Sequence, residues 1–127
     1  MIDHTGLTVT NPEKSRLFYE TALAPLGYKM LMEVPKEFTG GLVVRGFGVP
    51  PKPDFWTKEG TPNQPRLHIA FRADNRQQVD EFYKAAIGAG GTDNGPPGPR
   101  PQYHPGYYGA FVLDPDGHNI EAVCHTP

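Results

Sequence analysis

The sequence repeats itself at about half its length. Subtracting 64 from the numbers of the second half lays His68 on His4, Asn75 on Asn11, Phe82-Tyr83 on Phe18-Tyr19, Ala86 on Ala22, Gly91 on Gly27 and Phe111 on Phe47. With 127 residues in all, two copies of one unit of strand, helix and further strands account for the chain. This constrains the fold more than any single element does. A small sheet with one apolar face is marginal alone, whereas pairing two copies buries both sheets around a shared cleft.

In the first copy His4 to Thr10 alternate, with Leu7 and Val9 opposing His4, Gly6 and Thr8, and predict a strand. Asn11-Pro12-Glu13 supplies a helix N-cap, a proline at the first helical position and an acid in the first turn. Leu17, Phe18, Thr21 and Ala22 then share one helical face, which Pro25 and Gly27 close. Tyr28 to Val34, Phe38 to Phe47 and Asp54 to Thr57 predict strands, the last one proline-preceded and so expected at a sheet edge. In the second copy Arg66 to Arg72 predicts a strand, and Asp74 or Asn75 caps a helix built on Val79, Phe82, Tyr83, Ala86 and Ile87. The proline-rich stretch from Thr92 to Pro105 is expected to be an irregular rim loop, with room for a short strand at either end. From Tyr107 to His125 two antiparallel strands flank the turn Asp114-Pro115-Asp116-Gly117.

Charge narrows the partners. Twelve basic and 14 acidic residues leave a net charge of -2, which offers no electrostatic footprint for nucleic acid or an anionic membrane. No apolar run reaches membrane-spanning length, and the start has no basic region followed by an apolar one. The lone Cys124 cannot form an internal disulfide. A cytoplasmic protein acting on a small molecule is the expectation.

The chemistry-bearing residues gain weight from the repeat. His4 and His68 hold equivalent places in the first strand of each half, and Glu121 sits mid-strand between Ile120 and Ala122, on the face of Asn119, Val123 and His125. Two imidazoles and a carboxylate are a standard set for a divalent metal, with other positions left for water or substrate. The alternative is an exposed terminal His4 and a hydrogen-bonded strand His68. The offset puts Glu121 on Thr57 and sets Arg45 opposite Gly109, where the arginine either reaches a substrate anion or pairs with a nearby acid. Tyr103, His104, Tyr107 and Tyr108 are candidates for an acid, a base or an aromatic wall, and Trp56 for the cleft edge or a substrate platform.

His4 through Tyr28, the strand Leu67-His68-Ile69-Ala70-Phe71 and the run Asp114-Pro115-Asp116-Gly117-His118-Asn119-Ile120-Glu121 resemble the vicinal oxygen chelate superfamily of glyoxalase, bleomycin-resistance and ring-cleaving dioxygenase proteins. The resemblance spans essentially the whole chain. It implies an α+β fold of paired βαβββ modules forming a curved mixed sheet around a cleft, as one domain over residues 1–127 with modules of about 1–60 and 65–127. It also implies metal ligands at His4, His68 and Glu121, with the fourth family position, a glutamate in glyoxalase I, falling at or near Thr57, and Glu59 close by. A Zn, Ni, Mn or Fe ion would chelate vicinal oxygens of a small substrate in isomerase or lyase chemistry, with Glu121, Tyr107 and His104 as catalytic groups and Arg45, Trp56, Tyr103 and Tyr108 contacting substrate. The missing glutamate counts against lactoylglutathione lyase activity. The alternatives are a metal-independent ligand-binding or resistance protein and an extradiol-type dioxygenase. Closure of the cleft within one chain and across a homodimer are both compatible with the resemblance.

Overall fold

Both helices begin where the sequence caps them. Asn11 accepts the Lys14 N–H at 3.1 Å and Asn75 the Gln78 N–H at 2.9 Å, each satisfying an otherwise orphaned donor of the first turn. The computed structural model describes residues 1–126; Pro127, the end of the expected second module, lies outside the described residues. The first unit comprises β1 (Thr5–Val9), α1 (Pro12–Leu23), β2 (Lys29–Glu33), β3 (Val44–Gly48) and β4 (Phe55–Glu59). The second comprises β5 (His68–Arg72), α2 (Arg76–Gly88), β6 (Thr92–Pro99), β7 (Tyr108–Leu113) and β8 (Asn119–Cys124).

Two four-stranded mixed sheets result, ordered β1-β4-β3-β2 and β5-β8-β7-β6. In each, the last strand of the unit lies parallel to the first and antiparallel to its other neighbour. These are the paired βαβββ units that the resemblance implies. Two local expectations change. β4 is an interior strand, since the prolines before it precede its first ladder bond and interrupt nothing. The proline-rich segment after α2 opens with the eight-residue strand β6, which contains Pro96, Pro97 and Pro99, and is irregular only from Arg100 on. It survives because it is an edge strand, where a missing N–H can face solvent, and because its pairing with β7 breaks register twice.

The registers also correct the repeat. Gly6 pairs with Trp56 in the first sheet and Ala70 with Glu121 in the second. Gly6 and Ala70 obey the offset of 64, but Trp56 and Glu121 are one residue further apart, as are Gly46 and Phe111, which pair with them. A slip of one residue in a strand moves every side chain to the opposite face. The structural counterpart of Glu121 is therefore Trp56 and not Thr57, and that of Phe111 is Gly46 and not Phe47.

The helix-side faces of both sheets merge into one core containing Leu7, Phe18, Tyr19, Phe47 and Phe55 from the first unit and Phe71, Phe82, Val112 and Ile120 from the second. Phe55 and Phe71 meet edge to face across the boundary at 5.2 Å between centroids. The turn before β8 fastens the units together. Asp114 accepts the Tyr19 hydroxyl, Asp116 accepts the Thr10 N–H at 3.2 Å, and His118 accepts the Leu67 N–H at 3.1 Å while bonding the Thr8 carbonyl through Nε2 at 3.0 Å. Asp114 and His118 are buried, which these bonds make tolerable. Gly117, at φ 91, makes the turn that aims them.

Candidate ligand-binding site

On the face of the second sheet away from α2 lie His68, Asn119, Glu121 and Phe111. Glu121 is only 1% exposed, and a carboxylate that far from water needs hydrogen bonds on both oxygens. Its Oε1 accepts from His68 Nε2 at 2.8 Å, and its Oε2 accepts the Tyr107 hydroxyl. β5 and β7 flank β8, so His68 on β5, Glu121 on β8 and Tyr107 just before β7 are held side by side. Gly109 makes the approach feasible. A Cβ there would stand 3.2 Å from both Glu121 Oε2 and the Tyr107 ring. Burial first, and then the bond and charge of Glu121, push the Tyr107 phenol pKa above its usual 10.0, so this hydroxyl stays a donor.

Above this floor His68, Tyr103, Tyr107, Phe111 and Glu121 line a cavity of about 250 Å³. Tyr103 and Tyr107 form an aromatic corner, with centroids 4.9 Å apart and rings inclined at 67°. Tyr103, 58% exposed, stands at the mouth. Phe111 forms the wall beside His68, at 6.1 Å between rings. The sequence reading missed Phe111, although alternation from Tyr107 through Gly109 points to it.

The remaining candidates lie elsewhere. His104 does not line the cavity: it packs behind Tyr107 at 5.3 Å and bonds His125, Nε2 to Nδ1, at 2.9 Å. Tyr108 turns to the helix side, where its hydroxyl bonds Asp80 at 2.7 Å and Arg76 lies over its ring. Adjacent strand residues face opposite ways, so Tyr107 and Tyr108 cannot share one wall. Arg45 is also on the helix side, bonded to Glu33 at 2.8 Å and to the Pro12 carbonyl at 3.1 Å, so of its two sequence readings the ion pair is the one realised. Thr57 is buried on that side too, and Glu59 bonds the Val43 N–H at 3.0 Å. Trp56 faces away from α1, and its indole lies over Gly46 so closely that a Cβ there would be 2.8 Å from two ring carbons.

His4 sits in the exposed lead-in to β1, bonded to Asp3 at 2.7 Å. It shares a groove of about 380 Å³ with His68, yet among the described residues no group of three or more His, Cys, Asp or Glu side chains converges to hold a metal. The expected trio of His4, His68 and Glu121 is thus two partners plus one residue apart. Each Glu121 oxygen already accepts a hydrogen bond, and the equivalent position of the first unit offers an indole in place of a carboxylate. As arranged, this donor set does not fit a centre with three protein ligands. Among the described residues no helix is long and apolar enough to cross a membrane.

Residues 1–122 match the family model described as Glyoxalase/Bleomycin resistance protein/Dioxygenase superfamily. No curated protein matches the chain. Among solved structures, a glyoxalase/bleomycin resistance protein from Albidiferax ferrireducens T118 is 27% identical, with a TM-score of 0.71 and 96% of each chain covered. A glyoxylase/bleomycin resistance protein/dioxygenase domain from Frankia sp. EAN1pec is 18% identical with a TM-score of 0.74, covering 98% of this chain and 97% of that one. A mutant of the genomically encoded fosfomycin resistance protein FosX from Listeria monocytogenes, complexed with Mn(II) and 1S,2S-dihydroxypropylphosphonic acid, is 21% identical with a TM-score of 0.65, covering 96% of this chain and 87% of that one. At that identity the last two likenesses are of fold.

Proposed function

From the premise that this chain belongs to the glyoxalase/bleomycin resistance protein/dioxygenase superfamily, we propose that it is a small-molecule-binding protein of the resistance-protein kind, holding its ligand without a metal. The observation that supports this reading is the closed set His68–Glu121–Tyr107, whose hydrogen bonds satisfy the carboxylate internally and leave an aromatic cavity above it. Such a cavity, apolar with a few fixed polar groups, is the ordinary form of a ligand site. Fold alone does not choose between binding and catalysis.

A second reading keeps the metal. His68 and Glu121 are already 2.8 Å apart, and His4 lines the same groove as His68. The third ligand, an imidazole, would come from a shift of the exposed lead-in or from a second copy of the chain in a homodimer. The chemistry would then be that of an isomerase, lyase or dioxygenase.

Anaerobic purification with elemental analysis separates the two. The binding reading expects far less than one metal per chain, with ligand binding unaffected by chelator. Stoichiometric metal that is lost in both His68→Ala and Glu121→Ala would overturn it in favour of the metalloenzyme.

A further inference from the structure

The hydrogen-bond polarity of the cavity restricts what can enter it. An ionised carboxylate only accepts, so His68 Nε2 and the Tyr107 hydroxyl both direct their hydrogens at Glu121. These two donors are thereby spent. What the lining presents to a guest is the aromatic faces and edges of Tyr103, Tyr107 and Phe111, with the Tyr103 hydroxyl at the exposed mouth, over one buried negative charge. Arg100, a cation beside this wall, is also committed: its guanidinium bonds the carbonyls of Gly98 at 2.9 Å and Pro96 at 2.7 Å. It stacks on Phe111 at 5.5 Å from the ring centroid, so this ring already carries a positive group.

An anionic ligand would meet the Glu121 charge with only the exposed Tyr103 hydroxyl to offset it. A neutral one would gain apolar contact and at most the hydrogen bond of that hydroxyl. A positive group without strong hydrogen-bonding demands gains the aromatic quadrupoles and the carboxylate together, in a setting where the charge is poorly screened. Building on the binding function proposed above, we infer that the ligand is a small organic cation, a quaternary or substituted ammonium whose head group enters the corner between Tyr103 and Tyr107 over Glu121. A cavity of about 250 Å³ admits a trimethylammonium head.

Calorimetric titration of the full chain in chelator-treated buffer, with choline and with its uncharged isostere 3,3-dimethylbutan-1-ol, tests the class. Choline should bind at least about tenfold more tightly than the alcohol, the range that desolvated cation–π contacts supply. Glu121→Gln should remove most of that advantage. Because Glu121 is buried and its variant risks misfolding, Tyr103→Leu at the exposed mouth is the companion, and it should weaken choline several-fold in a folded protein. Equal affinity for both probes overturns the cation assignment and leaves the binding function standing. If neither probe binds but Mn²⁺ or Zn²⁺ does so in a His68-dependent way, both fall.

Discussion

The two sheets share strand order and pairing, yet their ligand-side faces are opposites. Where the second sheet has Glu121 between His68 and Tyr107, the first has Trp56 lying over Gly46 and against Gly6. One face is closed by hydrogen bonds and the other by an indole that fills the space its glycine neighbours leave. The helix sides, by contrast, remain alike: both are apolar and contribute to the same core. A duplicated unit thus keeps what packs and changes what faces outward, because the shared core ties the two helix sides to each other while the outer faces answer to separate demands.

The difference can be attacked at the turns first. Asp114 accepts the Tyr19 hydroxyl and the N–H groups of Asp116 and His118, whereas the corresponding stretch of the first unit contains the exposed Lys52. Asp114→Ala should cost about 3 kcal/mol by orphaning buried donors, visible as a Tm drop of roughly 10 °C. Lys52→Ala should cost no more than about 0.5 kcal/mol. Equal losses would remove the distinction between the turns.

Gly46→Ala tests whether the indole needs its glycine. The new Cβ would meet two indole carbons at 2.8 Å and Pro53 Cβ at 2.9 Å, and displacement should cost about 2 kcal/mol. Trp56 is the only tryptophan, so its emission spectrum should shift in the same variant. An unchanged spectrum would mean that the ring does not lie over position 46.

On the other face, Tyr107→Phe should cost about 1 kcal/mol through the lost bond to Glu121, measured by denaturant unfolding. It should also remove one late-titrating phenol. Burial leads in raising the phenol pKa of Tyr19, Tyr28 and Tyr107 above 10.0, with Asp114, Asp54 and Glu121 respectively adding to it. Stability from these shifts is fully present below pH 10 and is lost as pH rises through the folded-state values, because the unfolded phenols ionise first. Phenolate absorbance that develops near pH 10 for all six tyrosines, without delay in the folded protein, would contradict this.

The smallest effect is expected at His4. Exposed and bonded to Asp3, it should change stability by less than about 0.5 kcal/mol when replaced by alanine and leave choline affinity untouched. Loss of binding in His4→Ala would draw the two faces into one site and favour the metal reading.

Much of this was legible in the sequence. The asparagine caps, the apolar helix faces and the matching order of elements pointed to two copies of one unit, since each depends on local chemistry. His68, Glu121, Tyr107 and Tyr103, which line the cavity, were all candidates from residue type and alternation. The failures have one main source. Strand faces depend on an exact residue count, and the stretches between helix and third strand differ by one residue between the units, with a 3-10 turn at Lys36–Phe38 in one and two register breaks in the other. That single slip sent Thr57 and Arg45 to the wrong face. β6 was hidden for another reason: proline content reads as loop wherever edge position is unknown.

The joint between the units has a further consequence for how the protein tolerates change. Apart from the Tyr19 hydroxyl, the groups that the first unit gives to the β7–β8 turn are main-chain atoms, the Thr10 N–H and the Thr8 carbonyl, while the turn answers with the side chains of Asp114, Asp116 and His118. Main-chain atoms survive almost any substitution and these side chains do not. Sequence drift along the outer edge of β1 is therefore nearly silent for these hydrogen bonds, and the sensitivity of the hydrogen-bonded joint is concentrated in five consecutive residues, Asp114 to His118.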